Sequence, residues 1–136
     1  MRLEDWADRY LEAIALHARL PFEWGVSDCL LLPMDVCAAI TGEVPATFKR
    51  GSYHTMSDAV RELRALGFAH LGDAFAANFE EIPPAFAQRG DIGIADYPGA
   101  ILGGGVVVIG DELIGKGEQG LVRLPRDAMV RAFRIG

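Results

Sequence analysis

Apolar positions in the first third of the chain recur at helical spacing. Leu3, Trp6, Tyr10, Ile14 and His17 share one face, with Glu4, Asp8 and Glu12 on the others, so the pattern predicts an amphipathic helix that stops before Pro21. Leu20-Pro21-Phe22-Glu23-Trp24-Gly25 cannot prolong it, because proline removes a donor and restricts its predecessor. A second helix, capped by Ser27 or Asp28, is expected to run through Cys29 to about Ile40 and to end at Gly42 and Pro45. Pro33 sits awkwardly in it. The missing N–H would have met the Cys29 carbonyl, so the first turn is either bent or the helix starts late.

Thr55 with Asp58 reads as a capping box, and Val60, Leu63 and Leu66 give a third helix closed by Gly67. A short fourth helix is expected around Ala74 to Phe79, ahead of Pro83-Pro84. From Gly90 onward the period shortens. Ile92–Ala95, Val106–Ile109, Leu113-Ile114, Leu121–Leu124 and Val130–Ile135 are β-type runs. Tyr97-Pro98-Gly99, Gly110-Asp111, Gly115-Lys116-Gly117 and Pro125-Arg126-Asp127 separate them. Helices first and strands afterwards predict an α+β fold, its sheet mainly antiparallel. One domain over residues 1–136 is expected, helical to about residue 80 and β from about residue 90.

Composition narrows the function classes. A net charge of -6 with scattered arginines offers no basic stripe for phosphates, so no nucleic-acid partner is expected. No apolar run approaches the roughly 20 residues of a membrane span, and Met1-Arg2-Leu3-Glu4-Asp5-Trp6 has acids where a signal peptide is basic. Cytoplasmic synthesis without a signal peptide or membrane insertion is therefore expected. Cys29 and Cys37, eight apart, would lie about 12 Å apart on one helix, too far for a disulfide. No Cys or His pair shows metal-ligand spacing, so neither a metal nor another cofactor is expected.

Three segments carry a family resemblance: Phe22-Glu23-Trp24-Gly25-Val26-Ser27-Asp28-Cys29 opening an apolar helix, Arg89-Gly90-Asp91-Ile92 leading into a strand, and the glycine-punctuated β region ending in Ala132-Phe133-Arg134-Ile135-Gly136. Together they resemble the NlpC-type, papain-like cysteine peptidases. The likeness is nearest to a small branch encoded in tail gene clusters of tailed phages and gene transfer agents. The resemblance implies Cys29 as nucleophile, Asp28 as part of the motif at the helix start, and Trp24 as a wall of the substrate groove. A helix N-terminus favours thiolate over thiol, which is the physical reason for a cysteine there.

In that family a histidine at the start of the second core strand faces the sulfur, and a polar residue on the next strand orients the imidazole. Matching the strand places Gly104 at the histidine position and Gly115 or Lys116 at the orienting one. No histidine follows His70. Without an imidazole a thiol is only a few per cent ionised near neutrality, and the loss of acid–base assistance costs on the order of 10²–10⁴ in rate. The resemblance therefore implies a tail-tip structural protein that has lost catalysis, resident in the distal tail of a virion, with other tail-tip or hub proteins as partners. The alternative is an active peptidase or amidase that cuts peptidoglycan stem peptides during DNA entry.

Plainer readings stand beside these. Cys29 and Cys37 are the kind of small residues that cores bury. His17, His54 and His70 read as solvated or capping, with His54 the nearest to a substitute base. Gly103-Gly104-Gly105 precedes a strand and not a helix, so it reads as a close backbone approach or a bulge instead of a phosphate cradle. Arg89-Gly90-Asp91 reads as a turn into a core strand.

Overall fold

The computed structural model describes residues 1–45, 49–98, 100 and 103–136. Gly99, Ile101 and Leu102 lie outside the described residues, so the turn expected at Tyr97-Pro98-Gly99 is described only in part. Four helices, α1 (Trp6–Arg19), α2 (Leu31–Thr41), α3 (Met56–Ala65) and α4 (Leu71–Ala76), precede an antiparallel sheet. Its strands are β1 (Glu80–Ile82), β2 (Ile92–Ala95), β3 (Gly104–Val108), β4 (Glu112–Gly117), β5 (Gly120–Pro125) and β6 (Met129–Arg134). They lie in the order β1-β6-β2-β3-β4-β5, which is the α+β class expected.

α1 turns Tyr10 and His17 inward and ends where Leu20 becomes extended ahead of Pro21. α2 is apolar apart from Asp35 and Thr41. Leu31, Leu32, Pro33, Met34, Val36, Cys37 and Ile40 are all buried, the signature of a helix at the centre of a core and not on its surface. Gly42 closes it in the left-handed conformation. One core cluster joins Tyr10, Leu32, Val36, Ile40 and Phe75 to Ile92, Val107, Ile114 and Phe133. The register explains the grouping, since Ile92 pairs with both Val107 and Phe133, and Val107 with Ile114. Their alternates Ala95, Val106, Val108, Leu113 and Ala132 form a second cluster, together with Cys29 and Tyr97.

Four expectations need correction, the first that Gly115-Lys116-Gly117 separates two strands, for these residues lie within β4 and pair with β5. α2 does not run through Cys29 but begins at Leu31, because the Asp28 carboxylate, not an earlier helical turn, takes the N–H groups of Leu30 and Leu31. Pro33 then falls in the first helical turn, where its missing N–H is tolerated. The fourth helix lies at Leu71–Ala76 instead of around Ala74 to Phe79, because Leu71, Ala74 and Phe75 are the side chains it buries. Phe79 instead leads into β1, an edge strand the pattern did not foretell. Its Glu80 and Glu81 look like loop residues in sequence, but they pair with Arg134 and Arg131 of β6.

The Gly90-Asp91 turn does enter a core strand. Asp91, 2% exposed, accepts from the N–H groups of Ile135 and Gln88 and from the Arg2 guanidinium, so it ties both ends of the chain to the start of β2. Arg2 also lies over the Trp6 ring at 4.2 Å. Gly90 has a φ of +92°, and a Cβ there would meet Arg2, Ile40 and Trp6 at about 3 Å.

Candidate functional site around Cys29

Residues 23–28 fold into a tight hairpin. Glu23 and Ser27 exchange backbone hydrogen bonds, and Gly25 takes a φ of +84° in between. A Cβ on Gly25 would sit 2.2 Å from the Tyr53 carbonyl oxygen, so the glycine of the motif serves close packing of two loops. Asp28 organises the turn. Fully buried, its carboxylate accepts from the N–H groups of Gly25, Leu30 and Leu31 and from the Tyr53 hydroxyl, at 2.7 to 2.9 Å. The amide groups at the start of α2 are thereby committed to a carboxylate. Trp24 is half-buried, edge-on to Phe22 at 5.0 Å and to Tyr53 at 6.5 Å.

Cys29 is 5% exposed and lies just ahead of α2, not inside it. Neither it nor Cys37 is disulfide-bonded. The Cys29 carbonyl, which Pro33 cannot serve, lies against Gly105: a Cβ on Gly105 would come within 2.3 Å of that oxygen and 2.7 Å of Pro33 Cγ. The triple glycine is therefore a close approach of helix start to strand.

Tyr97 fills the space beside it. A Cβ on Gly104 would lie 2.2 Å from the Tyr97 ring, and one on Gly115 2.8 Å from it. The two positions that the resemblance assigns to a histidine and its orienting partner are thus both covered by one phenol ring, 7% exposed. Its hydroxyl donates to the Gly105 carbonyl at 2.9 Å. Burial, then the neighbouring Cys29, push the Tyr97 phenol well above its usual range, against a favourable bond from the Lys116 backbone N–H.

Lys116 itself points to the helical side. Almost fully buried, its ammonium donates to the carbonyls of His17 and Leu20 at 2.7 and 2.6 Å, where the C-terminal end of α1 favours a cation. Burial lowers its pKa.

His17 corrects the expectation of a solvated or capping histidine, for it is fully buried. Its Nδ1 meets the Ser27 hydroxyl at 2.7 Å and its Nε2 meets Asp35 at 2.6 Å. Arg50 holds both oxygens of Asp35 and also donates to the Val26 carbonyl. Serine, histidine and aspartate in a row resemble a hydrolytic relay, but Ser27 is fully buried and both imidazole nitrogens are engaged. The row joins α1, the hairpin, α2 and the loop at Arg50. His54 and His70 are both exposed. Asp35, Arg50 and Tyr53 escaped the sequence reading, and Ser27 and Tyr97 entered it only as a helix cap and a turn residue. The one available signal was a polar His17 on an otherwise apolar helical stripe.

The Asp35 carboxyl is pushed up by burial, but bonds from His17 and Arg50 outweigh this and leave it below the usual carboxylate range. A depressed folded-state pKa stabilises above the unfolded value of about 3.9 and is lost as pH falls through the lower folded value. Urea midpoints of the wild type and Asp35→Asn are therefore expected to differ most near about pH 7 and to converge as pH drops below about 4. A constant gap over that range would show that the carboxylate's charge contributes nothing.

Among the described residues no cluster of three or more His, Cys, Asp or Glu side chains is placed to hold a metal ion. None of their helices is long and apolar enough to cross a membrane. No curated protein and no solved structure matches the chain. One family does match, over residues 1–135: the chain belongs to the family described as Domain of unknown function (DUF6950).

Proposed function

We propose that the chain is a structural component of a phage or gene-transfer-agent tail tip, built on an NlpC-type, papain-like fold that has lost catalysis. The observation that carries the loss of catalysis is Tyr97. A Cys–His hydrolase needs an imidazole within hydrogen-bonding reach of the sulfur, and the volume over Gly104 and Gly115 is occupied by the phenol. The tail context rests on the resemblance of the Trp24–Cys29, Gly90-Asp91 and C-terminal β segments. A fold by itself does not dictate an activity, and here the site argues for scaffolding. The partners are other tail-tip or hub proteins, and the location is the distal tail after cytoplasmic assembly.

Two measurements test this. Iodoacetamide should alkylate Cys29 of the native protein no faster than a small model thiol, and purified protein should leave muropeptides intact. Particles carrying Cys29→Ala should assemble and infect normally, with the protein located at the distal tail by immunogold labelling. Rapid Cys29 alkylation together with muropeptide cleavage lost in Cys29→Ala would establish the active peptidase instead. Absence of the protein from purified particles would remove the tail assignment.

A further inference from the structure

The segment Lys49–Tyr53 crosses the outside of the Cys29 hairpin and is fastened to it at several points. Arg50 reaches the Val26 carbonyl and the Asp35 carboxylate. The Gly51 N–H donates to the Gly25 carbonyl at 3.1 Å, and the Tyr53 hydroxyl donates to Asp28 at 2.7 Å. The same segment is tied to α3, because the Ser52 hydroxyl bonds the Lys49 carbonyl and the Glu62 carboxylate, at 2.8 and 2.9 Å. α3 buries none of its residues, and only half-buried Leu63 and, just after the helix, Phe68 reach the core from this region. Cys29 follows Asp28, to which Tyr53 is bonded, and packs in one cluster with Tyr97 and with Trp24, whose ring meets Tyr53 edge-on at 6.5 Å. Burial, then Asp28 and, more weakly, Cys29, push the Tyr53 phenol above its usual range, as burial and Cys29 do for Tyr97.

We propose that Lys49–Tyr53 and α3 form one strap that controls access to Cys29, opening as a unit when its anchors to the hairpin are released. Elements with few buried apolar contacts and exposed hydrogen bonds open locally, at a cost below that of global unfolding. The strap has that character: four of its five residues are exposed, Tyr53 alone is buried, and its fastening is polar. α2 and β3, by contrast, are held mainly by buried apolar side chains, among them Leu32, Val36, Ile40, Val106 and Val107. Arg50 is the principal anchor, because among the described residues of the strap it is the one that bonds both the hairpin and α2. The proposal is independent of whether Cys29 acts on any substrate, since it concerns access and not turnover.

The test is native-state alkylation by iodoacetamide, read at each cysteine by mass spectrometry, with Cys37 (1% exposed, in the main core) as internal control. Arg50→Ala should accelerate labelling of Cys29 by about tenfold or more and leave Cys37 at the wild-type rate. Tyr53→Phe, which keeps the ring and removes one bond to Asp28, should give a smaller acceleration at Cys29 alone. In the unsubstituted protein, the Gly51 amide should exchange with deuterium well before the Val108 amide, which donates to the Asp91 carbonyl in the sheet. Unchanged Cys29 labelling in both variants overturns the proposal. So does equal acceleration at both cysteines, or exchange of Gly51 and Val108 at one common rate, because each means that Cys29 is reached only by global unfolding.

Discussion

Asp28→Ala is expected to remove on the order of 4 kcal/mol of stability, a large part of the roughly 5–15 kcal/mol that a domain of this size possesses. The carboxylate is fully buried and serves four donors, the amides of Gly25, Leu30 and Leu31 and the Tyr53 hydroxyl. Alanine leaves all four without their acceptor, three of them fully buried and the Leu30 amide partly so. Each buried orphan costs about 1–3 kcal/mol, and neighbouring losses do not simply add, which keeps the total below the arithmetic sum. Asp28→Asn retains one acceptor oxygen and the shape, so it should lose distinctly less. Urea unfolding of the three proteins decides the matter. A loss below about 1 kcal/mol for alanine would show that the hairpin and the start of α2 are organised by something other than this carboxylate.

The second large effect concerns the attempt to rebuild a catalytic pair. Gly104→His is expected to yield no peptidase and to destabilise by about 2–4 kcal/mol, because the first carbon of any side chain there already lies 2.2 Å from the Tyr97 ring and 2.8 Å from Ala100 Cβ. Tyr97→Ala alone should cost about 3–5 kcal/mol through the cavity it leaves and the lost bond to Gly105. Together the two changes should cost much less than their sum, with a coupling of about 2 kcal/mol or more, since the imidazole then occupies the space the phenol vacated. A double-mutant cycle on unfolding free energies measures that coupling. Strict additivity would mean that the ring and the glycine do not compete for one volume, and the explanation offered for the missing histidine would go with it.

Both expectations turn on contacts that differ in how visible they were along the chain. Asp28 stood in a motif, at a helix start, and its capping role follows from local chemistry because its amide partners are within three residues. Tyr53 is 25 residues away, and nothing in its own segment marks it as the fourth donor. Tyr97 reads in sequence as part of a turn before Pro98. Its place over Gly104 and Gly115 depends on how β3 and β4 pair, which is a fact of register and not of composition. His17 shows the same divide. Its helical face was legible, but Ser27 and Asp35 reach it from two other segments, and Arg50 holds Asp35 from a third.

The sequence alone determined the α+β class, the succession of four helices and then strands from β2 onward, the end of the first helix before Pro21, the Thr55 cap and the turn into β2 at Gly90-Asp91. These rest on periodicity, capping and glycine or proline chemistry, all interactions that close within a few residues. Only the tertiary structure decided that β6 lies between β1 and β2, that the central helix starts after Cys29, and that a tyrosine covers the two glycines beside it. It also decided that a histidine expected near water lies at the centre of a buried polar row. Those outcomes depend on packing between segments 10 to 99 residues apart, where many arrangements satisfy the local pattern equally and close packing of volumes and the pairing of buried polar groups select one.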